Sequence, residues 1–269
     1  MKSKILILLF FISNGVSAQY WQPLGNGISG EQYVVWTLAT DTFDDILYVG
    51  GSFDSASGVA ARNLAVWNGA EWKHLPITPE NEIRTMTMKH DTLIYFSSVS
   101  NDSQIGMYVD TSFVGLLPDA GGGIYCSFVL NDTLYIGGDF EGGVKFWNGN
   151  SWAVLGGGVT GQYYEVDALG SYNGQLIVGG EFDQAGSITA NNIASWYGNQ
   201  WHTLGNGLTF PNYYVYVLAV QEYNGELYAG GDFDYADSIF AKGMAPIGIV
   251  YQEFRIVPAA PMLCILMIA

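Results

Sequence analysis

The stretch WQPLGNGISG, Trp21 to Gly30, decides how the chain is read. Its second half, Gly25-Asn-Gly27-Ile-Ser-Gly30, spells G-x-G-x-x-G, the fingerprint of a dinucleotide-binding loop. Such a loop must follow a strand and open a helix inside a βαβ unit. No window downstream carries the apolar period of a helix. The next segment is YVVWTLA (33–39), which reads as a strand. The same spelling recurs at Gly156-Gly-Gly158-Val-Thr-Gly161, again ahead of a strand-like segment, YYEVDALG (163–170). The fingerprint is one register of a repeat, and no nucleotide is expected there.

The repeat has three elements. W-x-x-L-G-x-G begins at Trp21, Trp152 and Trp201, with a partial copy at Trp72 (WKHLP) and a weaker one at Phe113 (FVGLLP). A double-glycine element runs between them: ILYVGGSFD (46–54), TLYIGGDFE (133–141), QLIVGGEFD (175–183) and ELYAGGDFD (226–234), with TLIYFSSVS (92–100) as a degenerate copy. Its glycines are Gly50 and Gly51, Gly137 and Gly138, Gly179 and Gly180, and Gly230 and Gly231. The third element is NLAVWNGAEW (63–72), GVKFWNGNSW (143–152) and NIASWYGNQW (192–201).

Each unit reads as four short strands. An inner strand such as 34–39 or 166–169 leads into a turn, which in two units is Asn-Gly, at Asn173-Gly174 and Asn224-Gly225. That pair suits a two-residue hairpin, because both residues tolerate positive φ. The next strand ends in Gly-Gly, where missing side chains let backbones approach. A longer loop precedes a second hairpin at Asn68-Gly69, Asn148-Gly149 or Tyr197-Gly198. Four antiparallel strands repeated at this spacing predict an all-β chain, a β-propeller of about five blades at 34–75, 83–116, 124–155, 166–204 and 214–245. The propeller repeats span 19–245. Strand 21–24 is a candidate to close the ring against the last unit; an incomplete ring is the alternative.

The ends read differently. Residues 1–18 carry a basic start (MKSK), an apolar run (ILILLFFI) and Val16-Ser-Ala18, a small-residue cleavage pattern. This is a secretory signal peptide, too short to span a membrane. It predicts a secreted protein, extracellular or on the outer cell surface. Residues 246–269 depart from the repeat and end in a short apolar run, 262–269. A truncated or frameshifted reading frame accounts for this tail, with a native tail packed on the ring as the alternative.

Charge and cysteine narrow the partners. Without Lys2 and Lys4 the basic count falls from 9 to 7 against 25 acids, a charge of −18. A chain this acidic repels phosphate backbones and anionic lipid, so nucleic acid is not an expected partner. The two cysteines, Cys126 and Cys264, make no disulfide scaffold.

The repeated tryptophans occupy two registers: Trp21, Trp72, Trp152 and Trp201 in one, and Trp67, Trp147 and Trp196 in the other. Recurrence once per unit predicts a wedge between neighbouring blades, with a ligand platform as the alternative. The strand order puts two loop types on one face, and these carry Gln32, Tyr33, Gln162, Tyr163, Tyr164, Asn212, Tyr213 and Tyr214. Rings beside amides suit stacking and hydrogen bonding to sugars or peptides. Their recurrence fits repeat packing equally. Asp139, Glu181 and Asp232 share one position with Ser52, and Asp54, Glu141, Asp183 and Asp234 share another. These acids are expected to cap turn N–H groups. Calcium coordination is the sharper alternative, although no Asp-x-Asp-x-Asp-Gly loop occurs.

Enzyme signatures are missing. His74, His90 and His202 fall at different repeat positions, and no G-x-S-x-G, H-E-x-x-H or C-x-x-C occurs. No catalytic, cofactor-binding or metal-ligating residue is assigned; a glycan-cleaving pair of carboxylates stays open. Asn101-Asp-Ser103 and Asn131-Asp-Thr133 are acceptor patterns for glycosylation in a host that modifies exported chains.

LYVGGSFDSASGVAARNLAVWNGAEWKHL (47–75) resembles the bacterial Kelch-like propeller repeats of secreted and cell-surface proteins, which read GG-x-F-x-x-A-G, N-I-A-x-W-x-G, W-x-x-L-G-x-G. A similar repeat occurs in fungal cortical polarity markers. The resemblance covers about residues 21–240. It implies an exported binding or adhesion scaffold for a glycan or protein; it does not imply a reaction. Residues 72–112 depart from it by lacking the double glycine, and the tail departs again. A polysaccharide hydrolase or lyase, and a structural spacer or fragment of a larger surface protein, are the alternatives. The oligomeric state is left open.

Overall fold

The computed structural model describes residues 23–31, 33–99, 102–211, 213–241 and 244–247. The expected signal segment, Trp21, Gln32, Asn101, Asn212 and the tail from 248 onward lie outside the described residues.

The described chain is all-β, and no helix occurs in it. Blade 1 is a four-stranded antiparallel sheet of Val34–Asp41, Ile46–Ser52, Leu64–Trp67 and Trp72–Lys73. Blade 2 has Ile83–Lys89, Thr92–Val99, Asp102–Val109 and Ser112–Leu117. Blade 3 has Gly123–Leu130, Thr133–Asp139, Val144–Trp147 and Trp152–Val154. Blade 4 has Glu165–Tyr172, Gln175–Glu181, Ile193–Tyr197 and Gln200–Thr203. Blade 5 has Tyr216–Tyr223, Glu226–Asp232 and Met244–Ile247. The first strands of successive blades lie side by side, so the sheets fan out from a shared inner wall. This is a β-propeller. Among the described residues Met244–Ile247 pairs only with the second strand of blade 5, and the first strands of blades 1 and 5 do not pack together. The described residues of the five blades therefore form an open arc.

Local chemistry sets the turns. Asn173 and Gly174 take φ of 49° and 73°, and Asn224 and Gly225 take 52° and 78°, the left-handed pair that a tight hairpin needs. The hairpins at 68–71 and 148–151 are longer than a two-residue turn. There the Asn68 side chain accepts from the N–H groups of Ala70 and Glu71, and Asn148 accepts from those of Asn150 and Ser151.

The double glycine answers a β-bulge. In each first strand the register slips by one residue: between Val35 and Thr37, Ile83 and Thr85, Ile124 and Cys126, Val166 and Ala168, and Val217 and Ala219. In four blades the slip faces Gly-Gly. The bulge pushes a carbonyl toward the second glycine. A Cβ on Gly51 would lie 2.0 Å from the Val34 carbonyl oxygen, and one on Gly231 would lie 1.9 Å from that of Tyr216. The first glycine admits the next blade: a Cβ on Gly137 would lie 2.4 Å from Val166, and one on Gly179 would lie 2.7 Å from Val217. Blade 2 puts Phe96 and Ser97 there instead. Phe96 is fully buried with Ile124 of blade 3, and the buried Ser97 hydroxyl has no hydrogen-bond partner. This blade, which lacks the glycines of the repeat, is nevertheless a regular sheet.

The tryptophans work in pairs across the outer hairpin. Trp67 faces Trp72, Trp147 faces Trp152 and Trp196 faces Trp201, with ring centroids 5.4, 5.2 and 5.1 Å apart in edge-to-face contact. Each pair also grips the segment entering from the preceding blade position. The indole N–H of Trp72 donates to the Leu24 carbonyl, that of Trp152 to Pro118 and that of Trp201 to Gly156. The Trp147–Trp152 pair packs on the core between blades 2 and 3, and Trp196–Trp201 on that between blades 3 and 4.

Candidate ligand face

Three small sheets define one face of the arc. Ile28–Ser29 pairs with Ser55–Ala56, Val159–Thr160 with Gln184–Ala185, and Leu208–Thr209 with Tyr235–Ala236. In each case the connection entering a blade is stapled to that blade's loop between second and third strands. The two loop types therefore share one face, with the tyrosines beside them. The Gly25 fingerprint enters the first of these sheets; no nucleotide-type helix follows it.

Tyr33, Gln162, Tyr163, Tyr164, Tyr213 and Tyr214 are all exposed, Tyr213 most of all at 72%. The structure brings two of them together: Tyr163 from the entry to blade 4 and Tyr214 from the entry to blade 5 meet edge to face at 5.2 Å. Interaction with the Tyr163 phenol raises the Tyr214 hydroxyl above its ordinary value. Tyr213 leans on Phe210 at 4.9 Å, and Tyr33 stands apart at the entry to blade 1.

Beside the tyrosine pair lies a group of carboxylates. Bulges re-aim a side chain, and the residues at the slips are Trp36, Arg84, Tyr125, Asp167 and Leu218, one per blade on adjacent inner strands. The Arg84 guanidinium sits 4.6 Å over the Trp36 ring and binds Glu82 at 2.7 Å. Asp167 is pushed up to about 7 by burial and by the charges of Glu165 and Glu181. One oxygen of Asp167, Oδ2, is buried without a hydrogen-bond partner. Glu165 is raised by burial and by Asp139, and Glu181 by burial, Glu165 and Asp183. Tyr216 is raised chiefly by Glu181, and Tyr125 chiefly by burial and then by Asp139.

At the other end of the arc a polar cleft of about 370 Å³ is lined by Glu31, Asp54, Glu80 and Glu82 with Arg62. Among the described residues no three His, Cys, Asp or Glu side chains converge as a metal ion would need.

Sequence reasoning singled out the tyrosines, and Asp139, Glu181 and Asp183 as turn caps or calcium ligands, but not Glu165 and Asp167 beside them. Among the described residues, none of the acids expected to cap turns is seen accepting from a turn N–H through its side chain. In Asp54, Asp183 and Asp234 it is the backbone N–H that bonds, to the carbonyls of Ser29, Thr160 and Thr209. The missed signal was in the first strands. Val35-Trp36-Thr37, Ile83-Arg84-Thr85, Ile124-Tyr125-Cys126, Val166-Asp167-Ala168 and Val217-Leu218-Ala219 flank one freely varying residue with an apolar and a small one. A position free to vary between constrained neighbours is one released from packing.

No protein-family model matches the chain, and no curated protein matches it in sequence. Solved structures do. A chain of a nidogen/laminin complex is similar at 15% identity and a TM-score of 0.47, over 74% of this chain and 72% of that one. An oxidoreductase (glucose dehydrogenase) from Thermus thermophilus is similar at 12% identity and a TM-score of 0.44, over 76% and 78%. The computationally designed protein Ika4 is similar at 16% identity and a TM-score of 0.42, over 66% of this chain and 99% of that one. No helix of the described residues is long and apolar enough to cross a membrane.

Proposed function

We propose that this chain is an exported, non-catalytic propeller of the Kelch-like kind that binds a glycan through its loop face. The observation that carries the reading is the Tyr163–Tyr214 pair, exposed at the seam of blades 4 and 5 beside Glu165 and Glu181. Sugar rings present C–H faces to aromatic rings and hydroxyl donors to carboxylates, which accept only. The surrounding acids repel sulfated or uronic-acid chains, so the fitting ligand is uncharged. A protein segment offering apolar and basic side chains is the other ligand this aromatic, acidic face suits.

Binding of labelled protein to an array of neutral and anionic glycans tests this. Signal on neutral glycans alone supports it; signal on none, or on anionic chains, counts against it.

A second reading rests on Asp167. A carboxyl raised to about 7 by burial and by neighbouring carboxylates is what a general acid for glycoside cleavage requires. Release of reducing sugar that is lost in Asp167→Asn, with the fold intact, would favour this hydrolase reading over the binding one.

A further inference from the structure

We propose that the two end faces of the arc are complementary halves of one blade interface and that they join copies of this chain head to tail. The interfaces inside the chain define what such a joint looks like. One blade supplies an apolar residue from its first strand, just before the bulge, and the preceding blade supplies a glycine that receives it. Ile83 approaches Gly50, Val166 approaches Gly137 and Val217 approaches Gly179, at 2.9, 2.4 and 2.7 Å from the position a Cβ would take. All of these apolar residues, with Ile124 of blade 3, are 0% exposed.

Among the described residues, both ends of the arc carry an unused half. In blade 1 the residue of that register is Val35, and it is 44% exposed. Leu38, whose counterparts Met86 and Val220 are buried, is 41% exposed. In blade 5 the receiving glycine is Gly230, and among the described residues no atom lies within 4 Å of its Cβ position. Three copies of the glycine are filled and the fourth stands open; four copies of the apolar residue are buried and the fifth stands bare. The inner strands carry one acid each, Asp41 in Val34–Asp41 and Glu222 in Tyr216–Tyr223, both at the turn end of the strand and away from the bulges at Val35 and Val217.

The complementarity of the two faces points to a second copy as the occupant; a wild type that stays monomeric would leave them to this chain's own residues 1–22 or 248–269, which lie outside the described residues. Buried side chains at each internal joint fix the angle between blades, and closely packed interfaces do not deform continuously. Bringing Val35 to Gly230 within one chain would require reopening those joints. A contact between unlike faces of identical subunits is heterologous, and it closes into a ring or continues as a filament according to its angle.

Gly230 gives a clean test, because a side chain there meets open space within the chain and its φ lies outside the left-handed region. Light scattering across a concentration series reads the mass of the wild type, Gly230→Leu and Val35→Asp. The expected result is a dimer or larger species for the wild type, monomers for both variants, and for Gly230→Leu the melting temperature of the wild type diluted to monomer. In a Cys264→Ser background, a mixture of Val35→Cys and Gly230→Cys chains is expected to form an intermolecular disulfide under mild oxidation. A wild type that stays monomeric at every concentration overturns the proposal. So does assembly undiminished in Gly230→Leu, or a Val35→Cys, Gly230→Cys double variant that bridges within one chain.

Discussion

The indole N–H of Trp201 donates to the carbonyl of Gly156 at 3.0 Å, binding the outer hairpin of blade 4 to the segment that leaves blade 3. Trp72 and Trp152 repeat the contact with Leu24 and Pro118. The repeated tryptophan thus holds each blade to the chain entering it, by packing and by one directional bond. Trp201→Phe keeps most of the ring and loses the donor, and should cost about 1–2 kcal/mol in denaturant unfolding. Trp152→Ala also empties the seam and should cost at least about 3 kcal/mol. A Trp201→Phe variant as stable as the wild type would remove the hydrogen bond from the account.

The double glycine makes a second prediction. Gly180→Ala would place a Cβ 2.1 Å from the Glu165 carbonyl oxygen, which the bulge holds in place. Overpacking against backbone should destabilise the protein by at least about 2 kcal/mol. Gly179→Ala meets Val217 of the next blade and should also lower the melting temperature, whereas Gly230→Ala meets nothing within the chain and should not at concentrations where the protein is monomeric. Thermal melts of the three variants decide whether the first glycine serves the neighbouring blade.

Asp167 predicts a pH dependence. Its folded value of about 7 lies above the ordinary carboxylate range, so the folded state binds a proton that the unfolded state has released. Stability then falls as pH rises from about 4 to about 7 and levels off above that. Asp167→Asn removes the buried charge and should gain about 1–2 kcal/mol at pH 8, a figure reduced for the solvent screening of a half-buried group. It should gain nothing at pH 4, because wild-type Asp167 is already neutral there. An identical difference between variant and wild type at both pH values would contradict this cause.

The fold was legible because its determinants recur. Gly-Gly, the paired tryptophans and Asn-Gly each return once per unit, and a feature repeated at fixed register belongs to the repeat rather than to a site. The same logic hid the site. Asp167 is unlike its counterparts Trp36, Arg84, Tyr125 and Leu218, so no repeat pattern marks it. Only the one-residue slip, which depends on where backbone hydrogen bonds form, brings these positions into one row. Blade 2 was harder for the opposite reason. Phe96 replaces a glycine by filling the space the next blade would otherwise enter, and that compensation is visible only in the packing.

The most direct measurement is glycan binding by the wild type and by a Tyr163→Ala, Tyr214→Ala double variant, followed together with their melting temperatures. Both rings are exposed, so the fold should tolerate their loss, while losing an aromatic platform should weaken binding at least about tenfold. Binding of neutral glycan by the wild type, lost in a double variant that melts normally, is the result the account predicts. Binding that survives without the two rings would contradict it.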